Sequence, residues 1–165
     1  MEITKKIVLL GQFGVGKTSL VRRFISNEFS TDYKTTLGVQ IKKKVLTLSS
    51  GQKLSMIIWD LEGFSSVEKT RSSYLIGANL FILVFDLTRA VTYLNLNEEI
   101  QYLKEMYPDI PINVIGNKCD KKNSESIQTY LKSKNIEIDG IVSAKTADGV
   151  NELFNNVALK LSENG

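Results

Sequence analysis

Apolar stretches at Ile3 to Leu10, Ser55 to Trp59, Leu80 to Asp86, Ile112 to Gly116 and Ile138 to Val142 are short and rich in branched residues. Continuous apolar runs of that length predict strands buried on both faces. Between them the apolar positions change period. Leu20, Val21 and Phe24, then Leu96, Ile100, Leu103 and Tyr107, then Val150, Leu153, Phe154, Val157 and Leu161 each fall on one helical stripe. Strands alternating with helices predict a parallel α/β sheet covered on both faces. One interruption is expected: Gly38 to Leu48 and Lys53 to Trp59 flank Ser49-Ser50-Gly51-Gln52 and read as a hairpin, adding one antiparallel edge strand. Lys42, Lys43 and Lys44 would keep that edge solvated and unpaired. No repeat, linker or low-complexity segment breaks the pattern, so residues 1–165 are expected to form a single domain.

Composition narrows the chemistry. The 165 residues are 42% hydrophobic and 24% charged, with 11 Gly and 2 Pro, the proportions of an ordinary folded domain rather than a disordered tail. With no His at all, histidine general bases, Ser-His-Asp triads and histidine-ligated zinc are excluded. The single Cys, Cys119, forbids an internal disulfide and has no histidine to activate it as a nucleophile. A net charge of +3 is too mild and too dispersed to imply nucleic acid; Lys5, Lys6, Lys121 and Lys122 read as solvated ends of elements. The longest apolar run, Leu80 to Phe85, is far short of the ~20 residues a bilayer span needs. Met1-Glu2 offers no glycine for myristoylation and Ser162 to Gly165 no cysteine for a prenyl group, so direct membrane insertion is not expected.

Directly after the first strand stands Gly11-Gln12-Phe13-Gly14-Val15-Gly16-Lys17-Thr18, a G-x-x-x-x-G-K-S/T match in the strand–loop–helix setting that this motif requires. Glycines let the loop curl so that successive N–H groups face phosphate oxygens, and the following helix points its positive end at the same anion. Gly14 through Ser19 are the expected cradle, with Lys17 neutralising β and γ oxygens and the Thr18 hydroxyl binding Mg²⁺. This loop alone does not choose between ATP and GTP. Further on, the strand ending at Gly116 runs into Asn117-Lys118-Cys119-Asp120, and the last strand into Ser143-Ala144-Lys145. A carboxylate such as Asp120 can accept both the N1–H and the exocyclic amine of guanine, a donor pair that adenine does not present.

These segments resemble the N-K-x-D and S-A-K motifs of the Ras superfamily of small GTPases, and the likeness runs over residues 3 to 161. The resemblance implies a P-loop fold with a six-stranded, mostly parallel sheet, binding GTP or GDP with Mg²⁺ across the carboxyl ends of the strands. It further implies that Asn117 ties the base and phosphate loops together and that the Lys118 and Lys145 stems flank the base. The Ala144 N–H would donate to O6, and Phe29 would lie at the ring edge. Tyr33 to Gly38 resembles the first switch, placing Thr36 on Mg²⁺ and near the γ-phosphate, and Asp60-Leu61-Glu62-Gly63 resembles the second, with Asp60 on the metal side and the Gly63 N–H on the γ-phosphate. Trp59-Asp60 with Ser72-Ser73-Tyr74 and Gly77-Ala78 resembles the Rab branch most. A role in signalling or vesicle traffic would follow, as a cytoplasmic monomer that reaches a membrane through partners: effectors, exchange factors and activating proteins reading both switches. Ile41 and Trp59, at the borders of the switches, are candidates for effector contact or for core packing.

Lys17, Thr36, Gly63 and Phe64 are the positions at which hydrolysis would be decided, and here the chain departs from the family. Phe64 stands where the water-orienting Gln is usual, Phe13 where the loop keeps a small residue, and Glu62 where Ala is usual. Three readings stay open: very slow hydrolysis with arginine-finger activation blocked, Glu62 rotating in to orient the water, or Phe13 and Phe64 packing as an apolar lid without regulatory purpose. A nucleotide-locked interaction scaffold and a P-loop kinase or ATPase are the rival functions, the latter opposed by the base motifs.

Overall fold

A computed structural model describes residues 2–32 and 34–163; Met1, Tyr33, Asn164 and Gly165, named above for the termini and first switch, lie outside the described residues. Apolar residues alternate to opposite faces along the central strands, and each face buries its own set of helices. β1 (Glu2–Leu10) sends Ile7 and Leu9 to one side and Val8 and Leu10 to the other, and β4 (Leu80–Asp86) divides its side chains the same way. The first layer is closed by α1 (Lys17–Ser26) and α5 (Val150–Glu163), whose Phe24 and Phe154 rings stack 3.9 Å apart. The second is closed by α2 (Ser72–Leu75), α3 (Leu96–Met106) and α4 (Glu125–Ser133).

With β2 (Val39–Thr47), β3 (Lys53–Leu61), β5 (Ile112–Asn117) and β6 (Gly140–Ile141), the sheet has six strands in the order β2-β3-β1-β4-β5-β6. All neighbours pair in parallel except β2 on β3, the expected antiparallel edge. Its hairpin turns at Gly51, whose φ of 81° needs glycine, with the Gly51 N–H donating to Leu48 O at 2.9 Å. The chain leaves β1 toward β3 on one side and continues to β4 on the other, so a crevice opens beyond the carboxyl ends of β1 and β4.

Two expectations need correction. The strand expected over Ile138 to Val142 is reduced to Gly140–Ile141, because Asp139 turns its side chain onto the Val114 N–H at 2.7 Å and Ser143 N bends back to Asp148 O at 2.9 Å. β3 runs beyond Trp59 through Asp60 to Leu61, so the Asp60-Leu61-Glu62-Gly63 segment begins on strand backbone. In addition, α4, with only Ile127 and Leu131 on its buried stripe, was not legible from periodicity.

Candidate functional site

The loop after β1 wraps a cavity of about 330 Å³ at that crevice, within the roughly 300–1,000 Å³ of small-molecule sites. Gly14, Gly16, Lys17, Thr18 and Ser19 form its floor. Gly16 has φ of 98°, and a Cβ there would meet Asn117 Nδ2 at 2.4 Å, so both the turn and the close approach demand glycine. Lys17 is only 6% exposed, its ammonium donating to the loop carbonyls of Gly11 (2.9 Å) and Gln12 (3.2 Å). Burial pushes that ammonium down to about 8 while the neighbouring Asp60 charge pulls it back up. An anionic ligand would supply the missing compensation.

At the other end, Asp120, Ala144 and Lys145 line the cavity, with Lys118 and Phe29 beside them. Ser143 lies behind this wall: its hydroxyl donates to Asp120 Oδ1 at 2.8 Å and accepts the Thr146 N–H at 3.0 Å, fixing the carboxylate's direction. Asn117, buried at the end of β5, donates to the Val15 carbonyl at 3.0 Å and accepts the Ala144 N–H at 3.2 Å. It therefore joins the two loops; Val15 takes part through its backbone, its side chain being in the core. Lys118 joins them again, donating to Gly14 O at 3.0 Å and pairing with Asp86 Oδ2 at 2.7 Å. Burial alone would push the Asp86 carboxyl up, but bonds from Lys118 and Thr88 outweigh it and hold it below the usual range.

Three oxygens converge where a cation would bind. Thr18 Oγ1 lies 2.7 Å from Thr36 Oγ1 and donates to Asp60 Oδ2 at 2.5 Å, although these residues come from α1, the loop before β2 and the end of β3. Asp60 Oδ1 is buried without a hydrogen-bond partner among the described residues, and burial pushes this carboxyl up against the opposing Thr18 bond and Lys17 charge. Hard oxygen donors with one orphaned carboxylate oxygen fit Mg²⁺. Thr36 and Gly63 also line the cavity; Phe64, half-buried, does not. Gly63 rests on the phosphate loop so closely that a Cβ would lie 2.4 Å from Phe13 N. Phe13 lines the cavity with 46% of its surface exposed, and its carbonyl accepts from Arg89 Nη1 at 2.8 Å.

Sequence reasoning missed several contributors. Arg22 and Lys34 line the cavity, as does Lys121, which had read as a solvated end. Asp86 was seen only as the end of a strand, and Arg23 left no signal. No cluster of three or more His, Cys, Asp or Glu able to hold a further metal occurs among the described residues. Nor is any helix there long and apolar enough to cross a membrane.

The family model described as the Ras family matches residues 6–163. Among curated proteins the chain is 32% identical to the Ras-related protein RabQ of Dictyostelium discoideum over 97% of this chain and 80% of that one. It is also 32% identical to the Ras-related protein YPTC6 of Chlamydomonas reinhardtii, over 94% and 74%. To the Ras-related protein Rab-25 of Bos taurus it is 36% identical over 86% and 67%.

Proposed function

Because the chain belongs to the Ras family, in its Rab-like branch, it is a GTP-binding molecular switch, and we propose that this switch hydrolyses GTP slowly and reports its state through Thr36 and Gly63. In this reading the amides of residues 14–18 and the Lys17 ammonium hold the β and γ phosphates. Their charge restores the compensation that burial denies Lys17. Thr18, Thr36 and Asp60 would hold Mg²⁺, which when bound neutralises charge on the β and γ oxygens. Asp120, aimed by Ser143, accepts the two guanine donors; adenine would leave it desolvated and unpaired. Phe29, Lys118 and Lys145 flank the ring.

The observation that carries slow turnover is Phe64 after Gly63: a hydrocarbon ring outside the cavity wall has no atom with which to orient the attacking water. Phe13 on the wall adds bulk where an activating arginine would enter. Loss of the γ-phosphate would remove what Thr36 and Gly63 hold and free both loops. Effectors, exchange factors and activating proteins would meet the surface bordered by Ile41, 51% exposed, and Trp59. Membrane association would come through such partners, and nothing in the chemistry of the site calls for nucleic acid or a second copy. Single-turnover hydrolysis on the purified protein tests the reading. A rate well below that of glutamine-bearing relatives is expected, and an equal rate refutes it. The co-purifying nucleotide separates a cycling switch, with GDP or a mixture, from a locked scaffold holding GTP alone; ATP would overturn the guanine reading.

A further inference from the structure

Arg23 lies on the last turn of α1, yet its guanidinium is committed to a loop far along the chain. Nε donates to Ala144 O at 2.8 Å and Nη2 to Lys145 O at 2.7 Å. Nη1 reaches back to Asn27 O and Oδ1, both at 3.1 Å, so the fork is braced against the end of its own helix. Two consecutive carbonyls held by one planar group fix the rotation of the peptide between them, because a planar fork offers donors in set directions.

That rotation has a consequence for the cavity. In a trans peptide the C=O and N–H point oppositely, so turning Ala144 O to Arg23 turns the Lys145 N–H the other way. Ala144 and Lys145 line the cavity and Arg23 does not. The Lys145 N–H has no acceptor among the described residues, whereas the Ala144 N–H is engaged by Asn117. Resting on the guanine reading above, we propose that Arg23 is a positioning residue for base specificity: it presents the Lys145 N–H to an acceptor on the base, selecting 6-oxo purines. Asp120 selects the 2-amino and N1–H side independently, through Ser143. Because α1 begins at Lys17, the same residue links the helix that caps the phosphates to the loop that reads the base.

The test compares affinities for GDP, IDP and the diphosphate of 2-aminopurine riboside, which lacks both O6 and the N1–H and so serves as an O6-independent baseline across variants that all keep Asp120, in wild type, Arg23→Leu and Arg23→Lys. For Arg23→Leu, GDP and IDP binding should weaken about tenfold together while 2-aminopurine binding is unchanged. The GDP-to-2-aminopurine ratio then falls tenfold, and the GDP-to-IDP ratio, which reads Asp120, stays constant. Arg23→Lys, keeping one donor, should fall between; it also serves if Arg23→Leu does not fold. Equal weakening of all three nucleotides would show that Arg23 only braces α1, and unchanged affinities would show that it does nothing for the base; either overturns the proposal. A wild type that does not prefer GDP over the 2-aminopurine analogue would instead overturn the guanine reading itself.

Discussion

Gly63 shows how little room the site leaves at the scale of one methyl group. A Cβ there would stand 2.4 Å from Phe13 N and 2.5 Å from Phe13 Cα, backbone atoms that cannot swing aside. Gly63→Ala must lift the second switch off the phosphate loop, and overpacking of this kind typically costs about 1–3 kcal/mol. Under the proposed role of the Gly63 N–H as a γ-phosphate donor, the loss should fall on GTP and spare GDP. Competition of the two nucleotides for Gly63→Ala would show a GTP-to-GDP affinity ratio reduced about tenfold or more; an unchanged ratio would mean that Gly63 does not sense the terminal phosphate. Phe13 and Phe64 make the complementary case, where bulk is present and polarity absent. Replacing Phe64→Gln and Phe13→Gly together restores a group able to bond water and the space for it, and should raise single-turnover hydrolysis by about 10²-fold. An unchanged rate would favour the reading in which these rings only pack.

At the scale of elements, legibility followed how strictly each segment is constrained. Phosphate and guanine chemistry dictates residue types at fixed spacing, so residues 11–18 and 117–120 were readable without any knowledge of packing. Arg23 was not, since an arginine on an amphipathic helix is generic and its partners lie more than a hundred residues on. α4 escaped because a short, mostly polar helix with two buried positions carries little periodic signal, and β6 was overestimated because the Asp139 side chain, in place of a backbone carbonyl, takes the Val114 N–H. Glu99 belongs to the same class of hidden residue. It sits on the buried stripe of α3 at 7% exposure and accepts the Val67 N–H, from the turn (Val67–Lys69) that follows the second switch. Burial pushes its carboxyl up to about 7, with the Glu98 charge adding to the rise and the Val67 bond opposing it. In the unfolded chain the same group ionises near 4.5. As pH climbs from 4.5 to about 7, the unfolded state releases the proton and the folded state retains it, so folding stability falls across that window and is level above it. Glu99→Gln keeps an acceptor for Val67 but removes the titration. Urea melts should show the variant more stable than wild type at pH 8, by at most about 3 kcal/mol, and nearly equal at pH 5. A pH-independent difference would show that Glu99 is ionised throughout.

Across the whole molecule, the sheet order brings together three segments that are distant along the chain. Thr18 opens α1 on one face, Asp60 ends β3 beside β1, and Thr36 comes from the loop that leads into the edge strand. Among the described residues, side-chain bonding between these segments at the site consists of the Thr18–Thr36 and Thr18–Asp60 contacts, with the buried Asp60 Oδ1 left over, while the Glu62 N–H donates to Gly38 O at 2.9 Å. Hydroxyl pairs of this kind are worth about 1 kcal/mol net each, a small contribution to holding Thr36 against the core. A divalent cation held by the same oxygens would neutralise the Asp60 carboxylate and the phosphates at once, adding to the closure. Chelating Mg²⁺ from the nucleotide-loaded protein should therefore speed nucleotide release by at least about tenfold, followed with a fluorescent GDP analogue. Asp60→Ala should release nucleotide quickly with or without chelator, because the one carboxylate among the three proposed metal-holding residues is removed. Were wild-type release indifferent to chelation, Thr18, Thr36 and Asp60 would be a polar contact between loops, and the coupling of metal, phosphate and switch would have to be sought elsewhere in the fold.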